Sequence, residues 1–282
     1  MPPVVSPRLP RVVGMGKKKR LEELLQAVGV GRPSGEMLRR ADDPESEEWG
    51  EPAEGEEIAA GDPRVRLLPD PAEVFSADQA WLGDVLMPVL AVDLSAVDPA
   101  WSGWLPVVDP VEPVRDVQGC LGEKTEAFHD AYAGEAWIAL RLEEGDRLRF
   151  LGQREYFLHE LLRGRGELRG SQVEAHYVRD ALSRADSIRR WRSGERDEEE
   201  LLILGGDPYD GNWTTVDPPE AYRYVQPDDD GEGPPSVTLA DGRPFRLVGE
   251  THRWAWSDEG VGTLLVLFEP ETRTVLLTFE YD

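Results

Sequence analysis

The chain has 282 residues, of which 31 are Lys or Arg and 56 are Asp or Glu, for a formal charge of −25. A surface this acidic repels nucleic acid and anionic lipid, because each phosphate contact needs a local cation to displace condensed counterions. Nine Trp, seven Tyr and seven Phe within a 40% apolar composition exclude global disorder and point to a soluble globular protein.

Residues 1–40 carry nine cations against three Glu, and their first ten positions are rich in proline. This reads as a basic N-terminal arm, extended except for one short amphipathic helix from Lys17 to Val28. Leu21, Leu24, Leu25 and Val28 form its apolar side, and Gly29 and Gly31 stop it. The run Lys17-Lys18-Lys19-Arg20 reads as a solvated face. From Asp42 to Asp62 there are ten carboxylates and no cation, so 41–63 is expected to be an acidic disordered linker. A globular domain then fills 64–282.

In that domain Val85 to Leu94 reads as buried extended chain interrupted by Pro88, and Trp104 to Val108 as a second strand. Ala136 to Leu142 sets Trp137 against Ile138, Leu140 and Leu142 on opposite faces, with Arg147 to Leu151 as its return strand. A helix is expected over Arg154 to Arg163. Ser171 with Glu174 three residues on is a capping-box signature for another helix, reaching to about Arg192. The stripe Val178, Leu182, Ala185, Ile188 and Trp191 is its expected buried side, with Arg179, Arg184, Arg189 and Arg190 turned outward. Leu201 to Leu204, a hairpin about Asp241-Gly242, and the pair Thr263–Phe268 and Thr274–Tyr281 complete a β-rich end. One face of the last strand is expected in the core and the other partly wet. The fold class is therefore α+β: a largely antiparallel body with a helical segment, preceded by a mobile arm.

Chemistry-bearing motifs are few. Cys120 is the only cysteine, which excludes an intramolecular disulfide and a multi-cysteine zinc site and fits a reducing, cytoplasmic setting. No apolar run reaches the roughly 18 residues needed to span a bilayer, and the N-terminus lacks the apolar region of a signal peptide. His129, His159, His176 and His252 lack the paired spacing of a zinc hydrolase and read as structural. The string Gly205 to Trp213 supplies close-approach glycines and the oxygens of Asp207, Asp210 and Asn212, but Gly211 stands at the wrong place for a calcium loop. No metal or cofactor is expected. Asp258-Glu259 beside Trp254 and Trp256 is the best carboxylate pair for acid–base work.

Four short motifs in order are similar to the YwqG-like family of bacterial proteins of unknown function. They are Leu90 to Val97, Gly103-Trp104-Leu105, Leu204-Gly205-Gly206-Asp207-Pro208, and Trp256-Ser257-Asp258-Glu259-Gly260-Val261-Gly262 leading to Phe268. Ser257 stands where the family pattern has Gly. The resemblance covers about 85–282 and implies a mixed α and β body; it carries over no catalytic residue.

The leading functional expectation is a non-enzymatic acidic binding protein, an inhibitor or immunity-type partner of a basic protein, because acidic surfaces steer cationic partners and Trp and Tyr anchor interfaces. Its expected contacts are Asp207, Tyr209, Asn212, Trp213, Trp254 and Trp256. The alternative is a hydrolase or carbohydrate-binding enzyme whose cleft brings Asp210 together with Asp258 or Glu259. The sequence carries no signal for oligomeric state.

Overall fold

The computed structural model describes residues 54–196, 200–209, 211–225 and 234–281. The basic arm with its helix, most of the acidic linker and Asp210 lie outside the described residues. The elements in chain order are β1 (Glu56–Ala59), β2 (Val65–Leu67), α1 (Pro71–Val74), β3 (Leu86–Asp93), β4 (Trp104–Pro110), β5 (Ala133–Gly134), β6 (Trp137–Leu142) and β7 (Leu148–Phe150). They continue with α2 (Leu158–Arg165), α3 (Gln172–Arg192), β8 (Glu200–Leu204), β9 (Tyr222–Val225), β10 (Ser236–Leu239), β11 (Arg246–His252), β12 (Thr263–Glu269) and β13 (Thr274–Glu280). All strand pairs between these elements are antiparallel, and the fold is α+β as expected.

A large sheet runs in the order β1-β8-β11-β12-β13-β6-β5, with β7 also paired to β6. Side chains alternate across a strand, so β12 sends Leu264, Val266 and Phe268 to one core and Leu265 and Leu267 to another. The first core is closed by the three-stranded sheet β2-β3-β4, whose Val65, Leu90, Val92 and Leu105 belong to it. The second is closed by the β9–β10 ribbon and Trp213. Both faces of β13 are therefore covered, and Leu276 and Thr278 are 0% exposed where the alternation suggests a wet face.

Other expectations also shift. The body begins inside the supposed linker, because Ile58 is 1% exposed and β1 pairs with β8. Arg64 makes that segment tolerable by donating to Glu56 at 2.6 and 2.8 Å and to Asp62 at 2.9 and 2.7 Å. These bonds hold the Asp62 carboxyl down at about 2. The Asp241-Gly242 turn closes as expected, with Gly242 N donating to Leu239 O at 2.9 Å. Its two arms then part, β10 to β9 and β11 to the large sheet. Pro88 sits at an irregularity between β3 and β4, as a residue without an N–H requires. The helix expected from Arg154 is split, with a single 3-10 turn at Arg154–Tyr156 before α2.

The largest correction concerns α3. Its cap is the expected one, Glu174 N donating to Ser171 Oγ at 3.1 Å. Its orientation is inverted: Val178 and Leu182 are 57% and 69% exposed, while His176, Asp180, Arg184 and Ser187 are buried. Of the expected apolar stripe only Trp191 is fully buried, 4% exposed. The reason is the surface α3 meets, which offers carboxylates and carbonyls instead of apolar groups. Leu182→Arg should then change stability by under about 0.5 kcal/mol. Arg184→Leu strips a partner from a buried carboxylate and should cost about 3 kcal/mol or more. Paired thermal melts check this, and equal losses would contradict the orientation of α3.

Candidate functional site

Asp109 near the end of β4 is 0% exposed and accepts from Arg253 Nε at 2.5 Å and Arg184 Nη2 at 2.8 Å. Arg253 also donates to the carbonyls of Pro110 at 2.5 Å and Glu112 at 3.0 Å. Arg184 bonds Asp180 one turn back on α3, and Ser257 Oγ donates to the other oxygen of Asp180 at 2.7 Å. Two cations, two carboxylates and a hydroxyl thus close on one another. The cluster ties β4, α3 and the β11–β12 connection together and leaves no reactive group facing outward.

A second buried carboxylate belongs to Glu112. It accepts from Leu158 N at 3.2 Å and His159 N at 3.0 Å on the first turn of α2, from Gln118 Nε2 at 3.2 Å and from Tyr177 Oη at 3.0 Å. Burial pushes this carboxyl up, and the four donors act against that rise. Glu160 beside it shows the opposite outcome. Burial raises it too, but His159, Arg154 and Arg163 prevail and hold it below the ordinary carboxylate range.

The outward-facing site lies at the far end of β11. A recess of ≈ 250 Å³ is lined by Glu200, Ile203, Tyr209, Glu250, His252 and Thr263. The sheet supplies its floor: Glu250 and His252 lie two residues apart on β11 and share a face. His252 Nδ1 is 2.9 Å from Thr263 Oγ1, and Trp254, 51% exposed, stacks on the imidazole at 5.4 Å. Glu250 is half-buried, and no hydrogen bond or ion pair engages its carboxylate among the described residues. Burial, and then the charge of Glu200, push that carboxyl up. Perturbed carboxylates in recesses are where function concentrates.

Of the expected contacts, Tyr209 lines this recess and Trp254 stacks on its wall. The others go elsewhere. Asp207 and Trp213 face a separate recess of ≈ 220 Å³ towards Phe245 and Leu267. Asn212 is used internally, bonding the backbone of Tyr281 from both ends of its amide. Trp213 and Trp256 are each 1% exposed and pack into cores on opposite faces of the large sheet. Their indole N–H groups donate to Tyr209 O at 2.9 Å and to Thr251 Oγ1 at 3.1 Å. Asp258 is carried onto α3, its N–H donating to Ser183 Oγ at 2.7 Å, and Glu259 lies beside His176. Asp210, the other half of the expected carboxylate cleft, lies outside the described residues; among the described residues Tyr209 and His252 line one recess. Glu200 and Glu250 carried no sequence signal, being two acids among 56.

Among the described residues no helix is long and apolar enough to cross a membrane, and no group of three His, Cys, Asp or Glu side chains is placed to hold a metal ion. No protein-family model, curated protein or solved structure matches the chain, so the YwqG-like resemblance rests on its four motifs alone.

Proposed function

We propose that this chain is a non-enzymatic acidic binding protein for a basic protein partner, acting as an inhibitor or immunity-type protein, and that the Glu250 recess seats a Lys or Arg side chain of that partner. The observation carrying this reading is the uncompensated Glu250 carboxylate, half-buried beside Glu200, Tyr209 and His252 in a chain of charge −25. A cation entering there relieves the desolvated charge and meets the aromatic faces of Tyr209 and Trp254. Glu250 with Glu200 also favours the second reading, a hydrolase or carbohydrate-binding enzyme, since a raised carboxyl next to a second acidic group suits acid–base work.

Pull-down at low and raised salt tests the first reading. The recovered partner should be cationic, and Glu250→Lys should weaken its binding about 100-fold. Glu144→Lys, an equal charge change on the exposed β6–β7 turn, should leave binding nearly intact. Recovery of no cationic protein, or equal losses from both variants, would refute the reading. Stability separates binding from unfolding. The folded-state carboxyl of Glu250 lies above its ordinary value of 4.5, so ionisation opposes folding above that pH and the penalty vanishes below it. Glu250→Gln should therefore raise the melting midpoint by about 1–2 °C at neutral pH and leave it unchanged in acid.

A further inference from the structure

Another charged constellation takes no part in the Asp109 cluster or the Glu250 recess. Glu259 lies between two exposed guanidiniums, with Arg179 Nε 3.5 Å from Oε1 and Arg115 Nε 4.0 Å from Oε2. Neither contact is a hydrogen bond, so the donors of both arginines are uncommitted among the described residues. Beneath them His176 is 0% exposed. Its Nε2 lies 2.9 Å from Val111 O, and a carbonyl can only accept, so Nε2 carries the ring proton. In the neutral ring Nδ1 is then an acceptor. It faces Glu259 Oε2, another acceptor, across 3.4 Å, and both atoms are buried without a hydrogen-bond partner.

A carboxylate complements half of this arrangement. It offers oxygens to the guanidiniums and no proton to the imidazole. A phosphate group that keeps one acidic proton offers both. We propose that Arg115, Arg179 and His176 form a phosphate-binding site for which Glu259 is the internal stand-in. The ligand displaces the Glu259 carboxylate, accepts from both guanidiniums, and donates its O–H to His176 Nδ1. Glu259 leaves by turning its own side chain towards solvent. The acidity of the chain bars polyanions, so the ligand is a single phosphate group, as inorganic phosphate or as a small phosphomonoester. This site is independent of the basic-partner reading.

Calorimetric titration of the full chain tests it, with inorganic phosphate, glycerol phosphate and sulfate as probes at a pH of about 7, where an ordinary imidazole is mostly neutral, a fraction of each phosphate keeps an acidic proton and sulfate has none. Phosphate should bind at least about tenfold more tightly than sulfate, because only phosphate satisfies His176. Glu259→Ala removes the competing carboxylate and should tighten phosphate binding about tenfold. Arg115→Ala and Arg179→Ala, both at exposed positions, should each weaken it by a similar factor. Binding of inorganic phosphate alone supports a free-phosphate site, and binding of both phosphates supports an ester site. Equal affinity for sulfate and phosphate would overturn the proposal, as would a Glu259→Ala variant whose phosphate affinity is unchanged or lower.

Discussion

Replacing Asp109 by Ala should cost the fold about 3–5 kcal/mol, because it takes the shared carboxylate from two buried cations and leaves one of them without a counter-charge. Arg184 and Arg253 are 5% and 2% exposed, and Asp109 is the carboxylate they share. After the substitution Arg184 keeps Asp180, while Arg253 keeps only carbonyl partners, none of which carries a charge. A loss of that size lowers the melting midpoint by about 6–20 °C in a body of this length. Asp186→Ala is the comparison. It breaks an ion pair with Arg189 in which the side chains are 60% and 58% exposed, and such pairs contribute about 0–1 kcal/mol. Scanning calorimetry on both variants decides the matter; similar small shifts would mean that the cluster does not hold β4, α3 and the β11–β12 connection together.

That cluster also marks where the sequence stops being readable. Strands are legible here because their signals are local: β12 carries five apolar residues in succession, Leu264 to Phe268, β13 carries Val275 to Leu277, and Pro88 announces an irregular edge. The cap of α3 is legible for the same reason, since Ser171 and Glu174 meet within one turn. The buried side of α3 is not. Hydrophobic periodicity assumes that the opposing surface is apolar, and it picks Val178 and Leu182. The opposing surface is instead Asp109, the carbonyl of Val111, and Ser257, so α3 turns His176, Asp180 and Arg184 inward. A pairing between positions 109 and 184 leaves no periodic trace.

The site divides the same way. Aromatic and glycine-rich loops marked Tyr209 and Trp254, and both stand at the recess. The same reasoning chose Trp213 and Trp256, which are core residues, because an indole on a loop looks alike whether it faces solvent or a sheet. Glu250 was invisible for a different reason. It sits in an ordinary strand, and what makes it unusual is that no cation among the described residues pairs with it, which only three dimensions reveal.

Glu112→Gln should destabilise the protein by about 2–4 kcal/mol although it changes neither volume nor shape, and the argument turns on donors. Oε1 of Glu112 accepts from His159 N and Tyr177 Oη, and Oε2 from Leu158 N and Gln118 Nε2. A glutamine must present its NH₂ on one side or the other. Placed at Oε2, that group faces Leu158 N and Gln118 Nε2 and leaves both unsatisfied; placed at Oε1, it leaves His159 N unsatisfied, while the Tyr177 hydroxyl rotates to accept from it. Two of the four donors are N-terminal amides of α2, one on each oxygen, so the substitution also takes one of the two capping bonds from that helix. If relief of buried charge dominated instead, the neutral amide would stabilise the fold, since burial alone pushes this carboxyl up. The two accounts predict opposite signs. A melting midpoint lowered by about 5–15 °C supports the donor count, and an unchanged or raised midpoint would show that desolvation governs Glu112.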